Sequence, residues 1–194
     1  MSEQDIISHI RGNASDKIKN FLVDRRNLFI AAGLSPKLET TFGNEILASL
    51  ALSEISIYPN ASEPLNQEAR CVCTTRVTEG FLNGRGTLHG ACATLLVDFC
   101  SSLAIIALQM HNTGFPGVGV SETMHIVFHA PAALGEELRV VNTCASAGQV
   151  VQSARTEIWS NTHHRLVVSG VHTSMLPSIP KPHTRNDATS AAKL

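Results

Sequence analysis

The segment Asn83-Gly84-Arg85-Gly86-Thr87-Leu88-His89-Gly90 runs directly into the apolar stretch ACATLLVDFCSSLAIIAL, residues 91–108. The glycines of that connection permit tight backbone geometry and close approach of a ligand. The start of a helix offers N–H groups without intrahelical partners and a partial positive charge. A carboxylate near such a start ordinarily uses them, but here the first acid is Asp98, two turns in. The helix start is left open to an outside oxygen. That is the layout of an oxyanion hole, where one donor is worth about 3–4 kcal/mol. Neither a Walker lysine nor a G-x-G-x-x-G pattern follows, so phosphate cradling is not indicated.

Asp98 is the second feature. It stands among Leu95, Leu96, Val97 and Phe99, where a carboxylate adds nothing to packing. A structural role would pair it with Arg139 or Arg155 or bond it to Ser101 or Ser102. A chemical role would make it a general base. Eight residues separate it from Gly90, hence ~12 Å of helix, whereas a base must come within about 3 Å of the water it activates. Two such helices facing each other across a dyad would bring Asp98 of one beside the helix start of the other. The spacing therefore predicts an active site shared between two chains.

The elements that must position these residues follow from the hydrophobic pattern. Residues 15–32 read as one amphipathic helix, with Asn13 or Ser15 able to cap it and Gly33 able to end it. Strand composition appears towards Pro59 and over residues 70–78. The long apolar helix comes next, and four segments of period two follow: residues 118–128, 137–145, 150–160 and 165–175. Short turns between consecutive strands predict an antiparallel sheet. The helix lacks a polar face, so it must be covered almost all round. The pattern predicts an α+β fold, a curved antiparallel sheet wrapped around one long buried helix. Residues 1–45 are expected to form an N-terminal helical extension, 46–177 the main domain and 178–194 a flexible tail.

N-x-x-G-T-L-H-G at Asn83–Gly90, followed by A-T-L-L-V-D at Ala93–Asp98, resembles the hotdog-fold acyl-CoA thioesterases of the PaaI-like group. G-V-x-V-S at Gly117–Ser121 and A-P-A-x-L-G-E at Ala130–Glu136 extend the resemblance, which covers roughly residues 52–175. The resemblance implies an acyl-CoA substrate and hydrolysis of its thioester. It implies that the Gly90 N–H polarises the thioester carbonyl and that Asp98 of a partner subunit acts as base or nucleophile. Asn83 would position water or substrate, His89 would orient the thioester and its departing sulfur, and Ser121 would order the carboxylate and water. Arg85 is either a phosphate contact for CoA or a solvated loop arginine. Family members usually assemble as dimers of dimers. Where the family often has H-G-G this chain has His89-Gly90-Ala91, so a methyl enters the acyl or pantetheine path. The alternatives are an acyl-CoA-binding hotdog module without hydrolysis and a hotdog acyl dehydratase or hydratase. Asp98 on a helix opened by His-Gly fits hydrolysis better than either.

Composition closes off other classes. The chain has 194 residues, 43% hydrophobic and 16% charged, with Lys+Arg 15 against Asp+Glu 16. A net charge of -1 argues against a nucleic-acid binder. Asp98 in the middle of the apolar run argues against a membrane span. No cofactor is expected, CoA being part of the substrate. The histidines and the five cysteines lack metal-site spacing, so no metal is expected. An odd number of cysteines with no C-x-x-C reads as buried reduced thiols in a cytoplasmic protein. Asn13 and Asn60 match the N-x-S/T acceptor pattern without a secretion signal. The last three residues, Ala192-Lys193-Leu194, are similar to the S-K-L address read by the peroxisomal import receptor. Fluorescence imaging is expected to find peroxisomal puncta with this tripeptide at the free terminus and diffuse signal without it. Identical distributions would remove the address.

Overall fold

A computed structural model describes residues 7–34, 40–148 and 150–176. Its elements are α1 (Asp16–Val23), α2 (Arg26–Ala31), α3 (Asn44–Ala48), β1 (Ala51–Pro59), β2 (Gln67–Arg76), a 3-10 turn (Glu79–Phe81), α4 (Gly90–Thr113), β3 (Val120–Phe128), β4 (Glu137–Ala147), β5 (Val151–Ser160) and β6 (Arg165–Met175). Six strands form one antiparallel sheet in the order β1-β2-β4-β5-β6-β3. The sheet curls around α4, the buried helix expected at residues 91–108.

The periodicity predicted the strands within a few residues but not all their neighbours. β4, β5 and β6 pair in chain order, whereas β3 crosses over and pairs with β6. β3 is exposed along almost its whole length, so its hydrophobic content identifies it as a strand without saying which neighbour it takes. The helix expected over residues 15–32 is two helices. Asp24 breaks it by accepting the Arg26 N–H at 3.0 Å and that residue's guanidinium. Neither expected cap is used. Ser15 makes no side-chain cap bond, and Asn13 exchanges two hydrogen bonds with the Ile57 backbone of β1.

The core lies between the inner sheet face and α4. β4 and β5 alternate buried and half-exposed positions, with Leu138, Val140, Ala154 and Ile158 inward. They meet Leu96, Val97, Cys100, Ala104 and Ala107 of α4, all essentially inaccessible. Full burial of one such aliphatic side chain contributes about 1.5–3 kcal/mol. At Gly170 of β6 a Cβ would stand 3.1 Å from Val97 Cγ1 and 3.3 Å from the His125 carbonyl oxygen. The missing side chain lets helix and β6 touch one residue before Asp98. All five cysteines are free and buried. α4 is also the one helix among the described residues long and apolar enough to cross a membrane; the sheet buries most of it.

The two edges of the sheet are treated differently. The β1 edge is covered by residues 11–14, which trade backbone bonds with Ser53 and Ile55. Gly12, at φ +94°, allows the contact, since a Cβ there would meet the Ile55 carbonyl oxygen at 2.1 Å. The β3 edge is bare among the described residues and carries exposed Val120, Met124, Val127 and Phe128.

Glu136 ties the β3–β4 connection to the sheet. Its side chain is 5% exposed. It accepts the Ala133 N–H at 2.9 Å and the Ser160 hydroxyl at 2.6 Å, with Arg165 at 3.4 Å. Arg165 also holds the Pro131 carbonyl at 2.6 Å. Burial alone would raise the Glu136 carboxyl. The Ala133 N–H, the Ser160 hydroxyl, His163 and Arg165 outweigh it, and the net shift is downward. A carboxyl depressed in the folded state stabilises the fold above its unfolded value, and that contribution is lost as pH falls through the folded one. Glu136→Gln is expected to lose about 1–3 kcal/mol at pH 7 and to show a shallower loss of stability than wild type below about pH 4.5. Urea unfolding at pH 7 and at pH 4 checks both.

Candidate active site

The connection before α4 is organised by Asn83. Its Oδ1 accepts the Arg85 N–H at 2.9 Å and the Thr87 N–H at 3.3 Å, and its Nδ2 donates to Thr87 Oγ1 at 3.1 Å. Its backbone N–H reaches the Thr87 carbonyl at 2.8 Å. Side-chain capture of nearby N–H groups is how asparagine builds turns. The amide keeps one Nδ2 hydrogen for a ligand. Leu88 donates to the Ala132 carbonyl at 2.7 Å, and Thr87 bridges to Ala133. The loop anchored by Glu136 thus supports the loop that starts the helix.

His89 is the N-cap of α4. Its Nδ1 accepts the Ala91 N–H at 3.0 Å, which leaves the neutral ring's hydrogen on Nε2. Gly90 is the first helical residue and has no carbonyl four residues back within the helix to bond. Asn83, Leu88, Gly90, Phe128, His129 and Pro131 line a cavity of ≈ 400 Å³ in front of it. A Cβ on Gly90 would contact the Phe128 ring at 3.5 Å, so a side chain here intrudes on the cavity and not on the core. Arg85 is exposed, and the one bond it makes in this loop is from its backbone N–H to Asn83.

Asp98 is not buried as its neighbours suggested. Its side chain is 39% exposed. Its carboxylate is also not held by the partners proposed for a structural role. Ser101 and Ser102 donate to its backbone carbonyl, each at 3.0 Å, as hydroxyls in a helix commonly do. Arg155 pairs with Glu157. The carboxylate instead accepts the Ser121 hydroxyl at 2.9 Å. Ser121 sits at a bulge of β3, where the register with β6 skips Glu122. Bulges re-aim side chains in this way.

Beneath the carboxylate lies His172, a residue sequence reasoning missed. It is an inward position of β6, 1% exposed, with Nε2 3.7 Å from Asp98 Oδ1 and Nδ1 2.7 Å from Ser101 Oγ. That Nε2 makes no hydrogen bond among the described residues. Burial lowers the imidazole's affinity for a proton, and Asp98 restores part of it; the net shift is downward. The ring is neutral at physiological pH. Strand alternation places residue 172 inward, but no sequence signal says that it meets residue 98.

The structure therefore gathers Asn83, His89 and Gly90 at the helix start, and Asp98 with Ser121 at the bare β3 edge. The two groups remain about 12 Å apart by helical rise. One group can stabilise negative charge on a carbonyl oxygen and the other can accept a proton. Among the described residues no cluster of His, Cys, Asp or Glu could hold a metal ion.

A curled antiparallel sheet around one long helix is the hotdog fold, the fold of the hotdog thioesterases. The family model of the thioesterase superfamily matches residues 85–167. Acyl-coenzyme A thioesterase 13 of mouse is 31% identical over 125 residues, covering 64% of this chain and 81% of the mouse protein. The solved structure of zebrafish thioesterase superfamily member 2 superposes with TM-score 0.58 at 26% identity, covering 78% of this chain and 95% of that one. Its mouse counterpart gives 0.55 at 27%, with 78% and 96% covered. The chain belongs to the thioesterase superfamily and is a thioester hydrolase.

Asn83→Ala is expected to lower the melting temperature, because four hydrogen bonds of the connection depend on its side-chain amide or its placement. The loss should be about 1–2 kcal/mol. Calorimetry checks it, and an unchanged transition would show that the loop holds without the clamp.

Proposed function

We propose that the protein hydrolyses acyl-CoA to a free acid and CoA at sites shared between two subunits. The observation that carries this reading is the separation of Gly90 from Asp98 along one helix, with the Asp98 carboxylate turned to the uncovered β3 edge. The names of the relatives support the substrate class.

The thioester carbonyl oxygen takes the Gly90 N–H and the remaining Asn83 Nδ2 hydrogen. Asp98 of the partner subunit, ordered by its own Ser121, removes a proton from water as the oxygen attacks the carbonyl carbon. The tetrahedral intermediate collapses by breaking the C–S bond. The departing thiolate finally takes up a proton to give CoA-SH, and His89, the N-cap of α4, orients the thioester at the helix start. Direct attack by the Asp98 carboxylate, through an anhydride that water then opens, uses the same geometry. Arg85 at the loop surface would meet a CoA phosphate. The bare β3 edges pair the subunits, and two such dimers make the tetramer.

Two lesions separate a shared site from a self-contained one. Asp98→Asn removes the base and keeps the size. Gly90→Pro removes the N–H at the first helical position, where proline is accepted. His89 already has the φ -68°, ψ 135° that a following proline requires. Each protein alone is expected to lose about 100-fold or more in kcat with its fold intact. Unfolding, mixing and refolding the two should restore activity, approaching half the wild-type value per heterodimer, because one of its two sites is then undamaged. Mixed dimers confirmed by mass spectrometry but without activity would rule out the shared site. Wild-type release of thiol from acyl-CoA tests hydrolysis itself, and binding without release would leave an acyl-CoA-binding module.

A further inference from the structure

The start of α4 separates two cavities of different character. Gly90 and Asn83 face the ≈ 400 Å³ space described above. On the other side, His89 and Ala91 open onto a second cavity of ≈ 200 Å³ whose remaining walls include Phe42, Ile46, Leu82, Cys92 and Leu95. The walls of the second are mostly apolar. The Cys92 thiol adds no charge, since burial pushes its pKa to about 11.

Part of this cavity is built by the N-terminal extension. α3 packs beside the 3-10 turn, with Leu47 buried and Ser49 Oγ 2.7 Å from Thr75 Oγ1 on β2. Arg25, the N-cap residue of α2, reaches Asn44 at 3.4 Å. Ile46 thus forms a fixed wall, whereas Phe42, just before α3, is 80% exposed at the mouth. A large exposed aromatic beside an apolar hollow is the arrangement expected of a ligand contact.

A thioester has a polar arm on sulfur and an acyl arm on carbon. With its carbonyl oxygen at the helix start, the two arms leave in different directions. We infer that the acyl chain occupies the cavity between α3 and the first turns of α4, and that Phe42 and Ile46 set the chain length accepted. This rests on the acyl-CoA reading above. A space of ≈ 200 Å³, open at its mouth, takes a chain longer than acetyl and leaves a palmitoyl chain extending past Phe42. The Ala91 methyl lies on this acyl side, where it narrows the entrance of the chain and leaves the CoA side open.

The test compares acetyl-, octanoyl- and palmitoyl-CoA as substrates, and S-ethyl-CoA and S-octyl-CoA thioethers as ligands that cannot be hydrolysed. Ile46→Trp shortens the cavity, Phe42→Ala opens its mouth, and Phe42→Asp places a charge there at an exposed position that does not affect folding. The ratio of octanoyl to acetyl kcat/KM is expected to fall about tenfold in Ile46→Trp and Phe42→Asp. Phe42→Ala should raise the palmitoyl to octanoyl ratio. The S-octyl over S-ethyl affinity ratio should fall in the same two variants. An active wild type whose ratios stay within about twofold in all three variants overturns the inference and leaves the hydrolase reading standing. A wild type that hydrolyses none of the three but shows the expected affinity shifts overturns the acyl-CoA hydrolase reading and upholds the cavity assignment. Absence of both overturns both.

Discussion

A 24-residue helix without a polar face cannot face water, and the rest of the molecule is organised around covering it. Six strands curl over most of α4, and the short helices of the extension take part of the remainder. What stays partly open is one side of the helix, Ala91, Thr94, Leu95, Asp98, Phe99 and Ser102, at helical spacing. The sheet cannot close over this side without burying the Asp98 carboxylate with no arginine or lysine beside it among the described residues, its one hydrogen bond there coming from Ser121. Asp98 on this side is reached by the Ser121 hydroxyl of the bare β3 strand, whereas Ala91 and Leu95 line the cavity beside α3.

Several polar groups inside the fold have a positional effect. Glu136 and Arg165 hold the loop that supports the Asn83–His89 connection. His172 and Ser101 form a neutral pair directly under Asp98. Asn142 is fully buried and answers the Thr156 hydroxyl and the Cys71 carbonyl across three strands. Losing one partner from any of these leaves a desolvated group behind, which costs more than the bond contributed. Such pairs fix which strand lies beside which more firmly than aliphatic packing, which tolerates exchange.

Much of this protein was legible in its residues. A long apolar run with no polar face requires a wrapping sheet. Period two over residues 137–175 marks strands, and β6 runs over Arg165–Met175 as read. The open helix start, the distant acid and the N-x-x-G-T-L-H-G pattern indicate thioester chemistry because they are local: each depends on neighbours within one or two turns. Tertiary structure alone decided the rest. β3 crosses to β6 because an exposed edge strand has no pattern that specifies its partner. Asp98 meets Ser121 and His172, not Arg139 or Arg155, because the chain must fold before residues 23 and 74 positions away reach it. The cavity lined by Phe42, Ile46, Cys92 and Leu95 joins segments about fifty residues apart, and such a contact leaves no periodicity in either segment.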